Sequence, residues 1–108
     1  MSTDSTLHPR HDFDDLLNSP TRLSILAALA RLEEVEFQVL RDSLEVSDSV
    51  LSKQATLLEA AGYVRVRKGH VGKRPRTWLS MTKTGRAALD RHVAALRAVL
   101  GENPAAPA

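Results

Sequence analysis

The sequence predicts a mainly α-helical domain carrying a small β-hairpin, an α+β fold, and three observations predict it. Apolar residues make up 43% of the 108 but aromatics only 4%, so the core must be built from Leu, Val, Ile and Ala, a composition that suits packed helices. Two short apolar-periodic stretches are separated by only three residues, which reads as a helix-turn-helix. Directly after them, alternating apolar and polar residues occur at 63–68 and again an extended run at 77–81, before one last long helical pattern. At this length there is room for one domain and one core. Residues 1–11 are read as a flexible tail, 12–100 as the folded domain, and the Pro/Ala-rich 101–108 as a disordered tail.

Residues 12–17 are expected to form a short helical turn. Ser19 as N-cap and Pro20 at the first helical position then start a helix over 20–31. Its apolar face is read as Leu23, Leu26, Ala27 and Ala30, broadened by Ile25 and Leu29. Val35 is expected in a brief extended pairing. A second helix over 37–45 turns Phe37, Leu40 and Leu44 inward and Gln38, Arg41 and Asp42 outward. The third is capped by Ser47 or Asp48, buries Leu51, Ala55 and Leu58, and stops at Gly62, which accepts the left-handed conformation at a helix end. A turn-rich link over 69–75 is expected to make a long hairpin tip. Thr82 caps the final helix, which runs to Leu100 and ends at Gly101.

The formal net charge of +2 conceals segregation: residues 1–48 carry a net −6 and residues 49–108 a net +8. Such separation suits a face for a polyanion. Cysteine is absent, which excludes disulfides, thiolate metal sites and thiol redox chemistry. No apolar run approaches the ~20 residues that span a bilayer, and no signal-peptide pattern follows Met1; a soluble cytoplasmic protein is expected. Without a Gly-rich phosphate loop or a Ser/His/Asp grouping, an enzyme is not expected, nor a cofactor.

A hairpin straight after the second helix of a helix-turn-helix, followed by a long helix, is the order of a winged helix-turn-helix, whose second helix enters the major groove. With Leu51, Ala55 and Leu58 inward, the outer side of that helix presents Ser49, Ser52, Lys53, Gln54 and Thr56, and Ser47 stands at its start. These donors and acceptors suit base edges and phosphates, Gln54 adenine and Lys53 guanine or phosphate. No carboxylate lies between Ser49 and Leu58. The hairpin holds Arg65, Arg67, Lys68, His70, Lys73, Arg74 and Arg76 with no acid among them, which suits the minor groove or flanking backbone. Trp78 is read as packing more than as base stacking, and Tyr63 as core.

In the last helix Leu89, Val93, Leu96 and Leu100 recur at spacings of four, three and four, with Ala88, Ala95 and Val99 beside them. The seam is expected to pair with a second copy, joined by Phe13, Leu16 and Leu17. His8, His11, Asp12, Asp14 and Asp15 offer metal-type ligands but sit in a polar tail beside Pro9, and no metal site is assigned.

Several runs resemble MarR/ArsR-like winged-helix regulators. Ser19-Pro20-Thr21-Arg22-Leu23-Ser24-Ile25-Leu26 and Phe37-Gln38-Val39-Leu40 resemble the first two helices of that group. The run from Leu51-Ser52-Lys53 to Leu58-Glu59-Ala60-Ala61-Gly62-Tyr63-Val64 is similar to the recognition helix and its exit. Leu79-Ser80-Met81-Thr82-Lys83-Thr84-Gly85-Arg86 is similar to the start of the last helix. The resemblance implies a dimeric regulator, more readily a repressor than an activator, on a palindromic double-stranded DNA operator; a winged helix used for protein or RNA contacts is the alternative. Two departures stand out. Glu45 occupies the helix-helix turn where Gly is common, implying strain or a different turn, and Leu57 stands where a basic residue is frequent.

Overall fold

The computed structural model describes residues 7–102. Four helices enclose one edge-to-edge sheet: α1 Pro20–Leu29, β1 Val35–Glu36, α2 Phe37–Leu44, α3 Asp48–Ala60, β2 Val64–Val71, β3 Arg74–Met81 and α4 Lys83–Val99. The sheet order is β1-β3-β2, antiparallel throughout. Val35 pairs with Leu79, so the expected extended residue forms the third strand. The core is aliphatic, as the composition requires: Ile25, Leu26 and Leu29 from α1 meet Leu40, Leu51, Leu58, Val64, Leu79 and Leu89. In α1 the buried face centres on Ile25, Leu26 and Leu29, whereas Ala27, expected inside, is exposed. The helix turns its larger side chains inward, and an alanine has the least to gain from burial.

Capping sets the helix starts. Ser19 Oγ accepts from the Arg22 N–H at 3.2 Å with Pro20 following, and Ser47 Oγ accepts from the Val50 N–H at 3.2 Å. Between α2 and α3, Glu45 adopts φ 57° and ψ 43°, the only non-glycine with positive φ among the described residues. The turn therefore keeps the left-handed shape that glycine would allow, at a cost of roughly 1 kcal/mol. Arg41 clips the turn from outside, reaching Asp48 at 2.6 Å and Asp42 at 2.9 Å. These two hydrogen bonds raise the Arg41 pKa further.

The hairpin differs from the expected long tip. β2 and β3 pair without a break from Val64↔Met81 to Val71↔Arg74, leaving Gly72 and Lys73 alone at the turn. Gly72 has φ 63°, the conformation the first residue of a tight two-residue turn needs. Pro75, read as a breaker, instead sits in β3 opposite His70. It is tolerated there because β1 pairs only with Trp78 and Leu79 of β3, so near the tip β3 is an edge strand.

Two contacts lock α4 against the end of α3. Thr82 Oγ1 accepts from the Gly85 N–H and donates to the Gly62 carbonyl. A side chain at Gly85 would place its Cβ 2.2 Å from the Tyr63 carbonyl oxygen, so only glycine permits this approach. The amino-terminal segment is more ordered than a flexible tail from Leu7 onward: Pro9–Asp12 and Asp15–Leu17 form 3-10 turns, the first lying along α4. The rest of the expected tails, 1–6 and 103–108, lies outside the described residues. Asp14 holds this strap: its N–H donates to His92 Nδ1 at 3.0 Å, its Oδ1 caps the Leu16 N–H at 2.9 Å, and its Oδ2 accepts from the Tyr63 hydroxyl. That last hydrogen bond, helped by burial, pushes the Tyr63 phenol up. Tyr63 is thus half-buried with a polar anchor rather than fully core.

Candidate nucleic-acid interface

On α3 the buried stripe of Leu51, Ala55 and Leu58 leaves Ser49, Ser52, Lys53 and Thr56 exposed, and Ser47 exposed at the cap. Their hydrogen-bonding capacity is partly used. Ser47 Oγ serves as the cap and lies 3.2 Å from Ser49 Oγ. Thr56 Oγ1 donates to the Ser52 carbonyl at 2.9 Å, so its oxygen is left as an acceptor. Gln54 is not on the open side: it is half-buried, and its Oε1 accepts from Arg22 Nη1 at 2.7 Å. Two apolar side chains also stand on this surface, Val50 and Leu57, each 40% exposed. The pattern of inward Leu51, Ala55 and Leu58 could have flagged Val50, since a position flanking the stripe must face outward.

Strand alternation splits the hairpin cations between two faces. Lys68 shares a side with Val66, and together with Ser52, Thr56 and Glu59 of α3 they line a cleft of about 340 Å³. His70 follows Lys68 on this side by alternation. Arg65, Arg67, Arg74 and Arg76 occupy the opposite side, and Lys73 sits in the turn.

The outward arginines are not equivalent. Arg67 lies over the Trp78 ring, 4.1 Å from its centroid, and holds Glu34 through two hydrogen bonds of 3.0 and 2.8 Å. Glu34 is held below the usual carboxylate range by that hydrogen bond, and Arg67 is raised in turn. Trp78 is accordingly a packing residue, with its ring near Gly69 as well. Arg76 Nη1 donates to Glu36 at 2.9 Å and Gln38 at 3.3 Å, while its Nε is buried without a partner. A hairpin free of acid in sequence therefore receives two carboxylates from β1 and the loop before it. Arg65, Lys68, Lys73, Arg74 and Lys53 form no ion pair among the described residues.

The residues read as a seam for a second copy also divide. Leu17 is 1% exposed and Leu89 8% exposed, both packed in the chain's own core, which corrects their place at an interface. Phe13 is half-buried against His92, with ring centroids 5.3 Å apart. Leu16 and Val93 are half-buried, and Leu96, Val99 and Leu100 remain exposed. The seam was legible as periodicity, but a continuous stripe wraps around a straight helix, so its first turns face the core and its last turns leave it.

His8 Nδ1 caps the Arg10 N–H, and Asp14 is spent on the strap. Among the described residues no group of three potential ligands converges to hold a metal.

The family model for a winged helix DNA-binding domain matches residues 21–100. This chain belongs to that family. An uncharacterized protein of Methanocaldococcus jannaschii is 33% identical over 78 residues, covering 72% of this chain and 85% of the relative. A transcriptional regulator homologue from Pyrococcus horikoshii superposes with a TM-score of 0.74 at 28% identity, covering 80% of this chain and 85% of that one. The Mycobacterium tuberculosis regulator MosR, solved with DNA, gives a TM-score of 0.65 at 24% identity over 92% of this chain and 72% of that one. MarR-family regulators from Silicibacter pomeroyi and Streptomyces coelicolor share the fold. The protein is thus a MarR-like winged-helix, DNA-binding transcriptional regulator, a family of regulators rather than enzymes. No helix of the described residues is long and apolar enough to cross a membrane.

Proposed function

We propose that the protein is a sequence-specific repressor that binds a palindromic double-stranded operator as a homodimer. In this reading α3 lies in the major groove and the hairpin reaches the minor groove or backbone. The observation that carries it is convergence: the open row of α3 and the Lys68 side of the hairpin flank one cleft, with unpaired Lys53 beside it and Lys73 and Arg74 at the tip. Phosphate contacts from such cations supply affinity, and the α3 side chains supply base contacts. Ser49, Ser52 and Lys53 are the base or phosphate contacts, and Arg65, Lys68, His70, Lys73 and Arg74 the backbone or groove contacts.

Exposed Leu96, Val99 and Leu100, beside a groove of about 530 Å³ containing Val93, Ala94 and Ala98, support a second copy along the end of α4. Repression fits a domain whose surface, once DNA and a second copy are bound, leaves little room to recruit polymerase. Binding to promoter duplexes measured at several salt concentrations tests the core of the reading. Affinity falling linearly on a log-log plot, by about one order of slope per neutralised phosphate, is expected; affinity flat in salt overturns it. Sedimentation that finds only monomer, free and on DNA, removes the dimer and its palindrome.

A further inference from the structure

The geometry points to Arg22 as a positioning residue that fixes which base Gln54 reads, favouring guanine over adenine; this rests on the DNA-binding reading above. Arg22 stands on the first turn of α1, remote in sequence from α3, yet its guanidinium bridges two elements. Nε donates to the Leu16 carbonyl of the amino-terminal strap at 2.6 Å, and Nη1 donates to Gln54 Oε1 at 2.7 Å. A guanidinium has no acceptor, so the Gln54 atom facing it must be the carbonyl oxygen. The amide nitrogen is thereby turned the other way. Arg76 Nε is the one buried side-chain polar atom without a partner among the described residues, so Gln54 Nε2, which has no partner either, is open to solvent.

A free glutamine reads adenine with both ends of its amide, Nε2 donating to N7 and Oε1 accepting from N6. Here Oε1 already receives a charge-assisted hydrogen bond, the stronger kind. What remains for DNA is two N–H donors on one nitrogen. Guanine offers two acceptors, N7 and O6, on its major-groove edge, whereas adenine offers one acceptor and a donor that would face the Arg22 side. The strap is part of the device, because the Leu16 carbonyl holds the guanidinium in line. Asp14, which caps Leu16 and meets Tyr63 and His92, ties that carbonyl to α4.

The test is selection of bound sequences from random duplexes, with melting temperatures measured in parallel. Arg22→Gln is the decisive variant: its amide nitrogen falls where Arg22 Nε was, keeping a donor for Leu16 while losing the reach to Gln54. The wild type is expected to select guanine at one position per half-site. Arg22→Gln should melt near wild type and shift that position toward adenine by about tenfold, the discrimination of one bidentate contact. Arg22→Ala should show the same shift with a lower melting temperature. Gln54→Ala should erase the preference there, and adding Arg22→Gln to it should change nothing more, the signature of a residue acting through another. Selective wild type with an unchanged Arg22→Gln profile, or a Gln54→Ala profile unchanged at every position, overturns this inference and leaves the DNA-binding reading standing. A wild-type chain that selects no sequence overturns that reading, and this inference with it.

Discussion

The base and the tip of the hairpin are built from the same residue types and do opposite things with them. At the base, Arg67 and Arg76 are spent inside the protein, one stacked on Trp78 and forked onto Glu34, the other drawn under β1 to Glu36 and Gln38. At the tip, Lys73 and Arg74 flank a two-residue turn and meet no carboxylate among the described residues. The difference follows from where β1 ends. Its two residues pair only with Trp78 and Leu79, so acids reach the base of the hairpin and not the tip. A cation's role is set here by its distance from a neighbouring strand, not by its identity.

Breaking the base should cost stability. Arg76→Ala leaves Glu36, whose side chain is 27% exposed, without its cation. Relief of the unpartnered Nε offsets part of the loss, so about 1–2 kcal/mol is expected, a fall of several degrees in melting temperature. A variant that melts like wild type would return Arg76 to the DNA face. Breaking the tip should cost binding instead. Lys73→Ala with Arg74→Ala should leave melting within a degree or two and lower duplex affinity about tenfold. The same pair should flatten the salt slope by about two, since each lost phosphate contact removes about 0.9. An unchanged slope would mean that the tip does not touch phosphate.

Arg67→Ala sharpens the base further. Removing an exposed cation from an aromatic face and an exposed carboxylate should cost well under about 1 kcal/mol, read as a small melting shift and a change in Trp78 fluorescence. The smallest effect is on pH. Glu34 is held below its ordinary value near 4.5, so its pairing contributes stability that is present above that value and lost as pH falls through the lower folded one. Wild type should therefore lose more stability than Glu34→Gln between pH 5 and acid. Parallel acid melting curves for the two would show the pair to be idle.

The α2–α3 turn offers an independent check on the local reading. Glu45→Gly relieves a left-handed side chain but loosens the unfolded chain, so a gain of about 0.5 kcal/mol is expected; a loss would mean that the Glu45 side chain is doing something not visible in its contacts.

Much of the fold was legible because its signals are local. Ser19-Pro20, Ser47, Thr82, Gly62 and Gly101 mark helix ends through their own side chains or φ, and each does so in the structure. Aliphatic stripes gave Leu51, Ala55 and Leu58 without error. The hairpin tip was misjudged because Gly69, Gly72 and Pro75 were weighed alike as breakers, whereas only Gly72 has positive φ. Gly69 lies flat against Trp78, and Pro75 has no neighbour asking for its N–H. Within the candidate interface, Ser49, Ser52, Lys53 and Lys73 were readable from helix phase and turn position. Gln54 was not, since its partner is 32 residues away.

By itself, then, the sequence determined the element order, the caps, the aliphatic core and the surplus of positive charge in the second half, because each depends on neighbours within a turn or a pleat. It could not determine which of those charges are free. Glu34 and Glu36 reach Arg67 and Arg76, Arg22 reaches Gln54, and Leu17 and Leu89 turn into the core, all through contacts between segments far apart along the chain. Such pairings are chosen by how the layers stack, where a carboxylate a few ångströms away outweighs any local preference. Only the tertiary structure decided that the hairpin has a neutralised base and a bare tip.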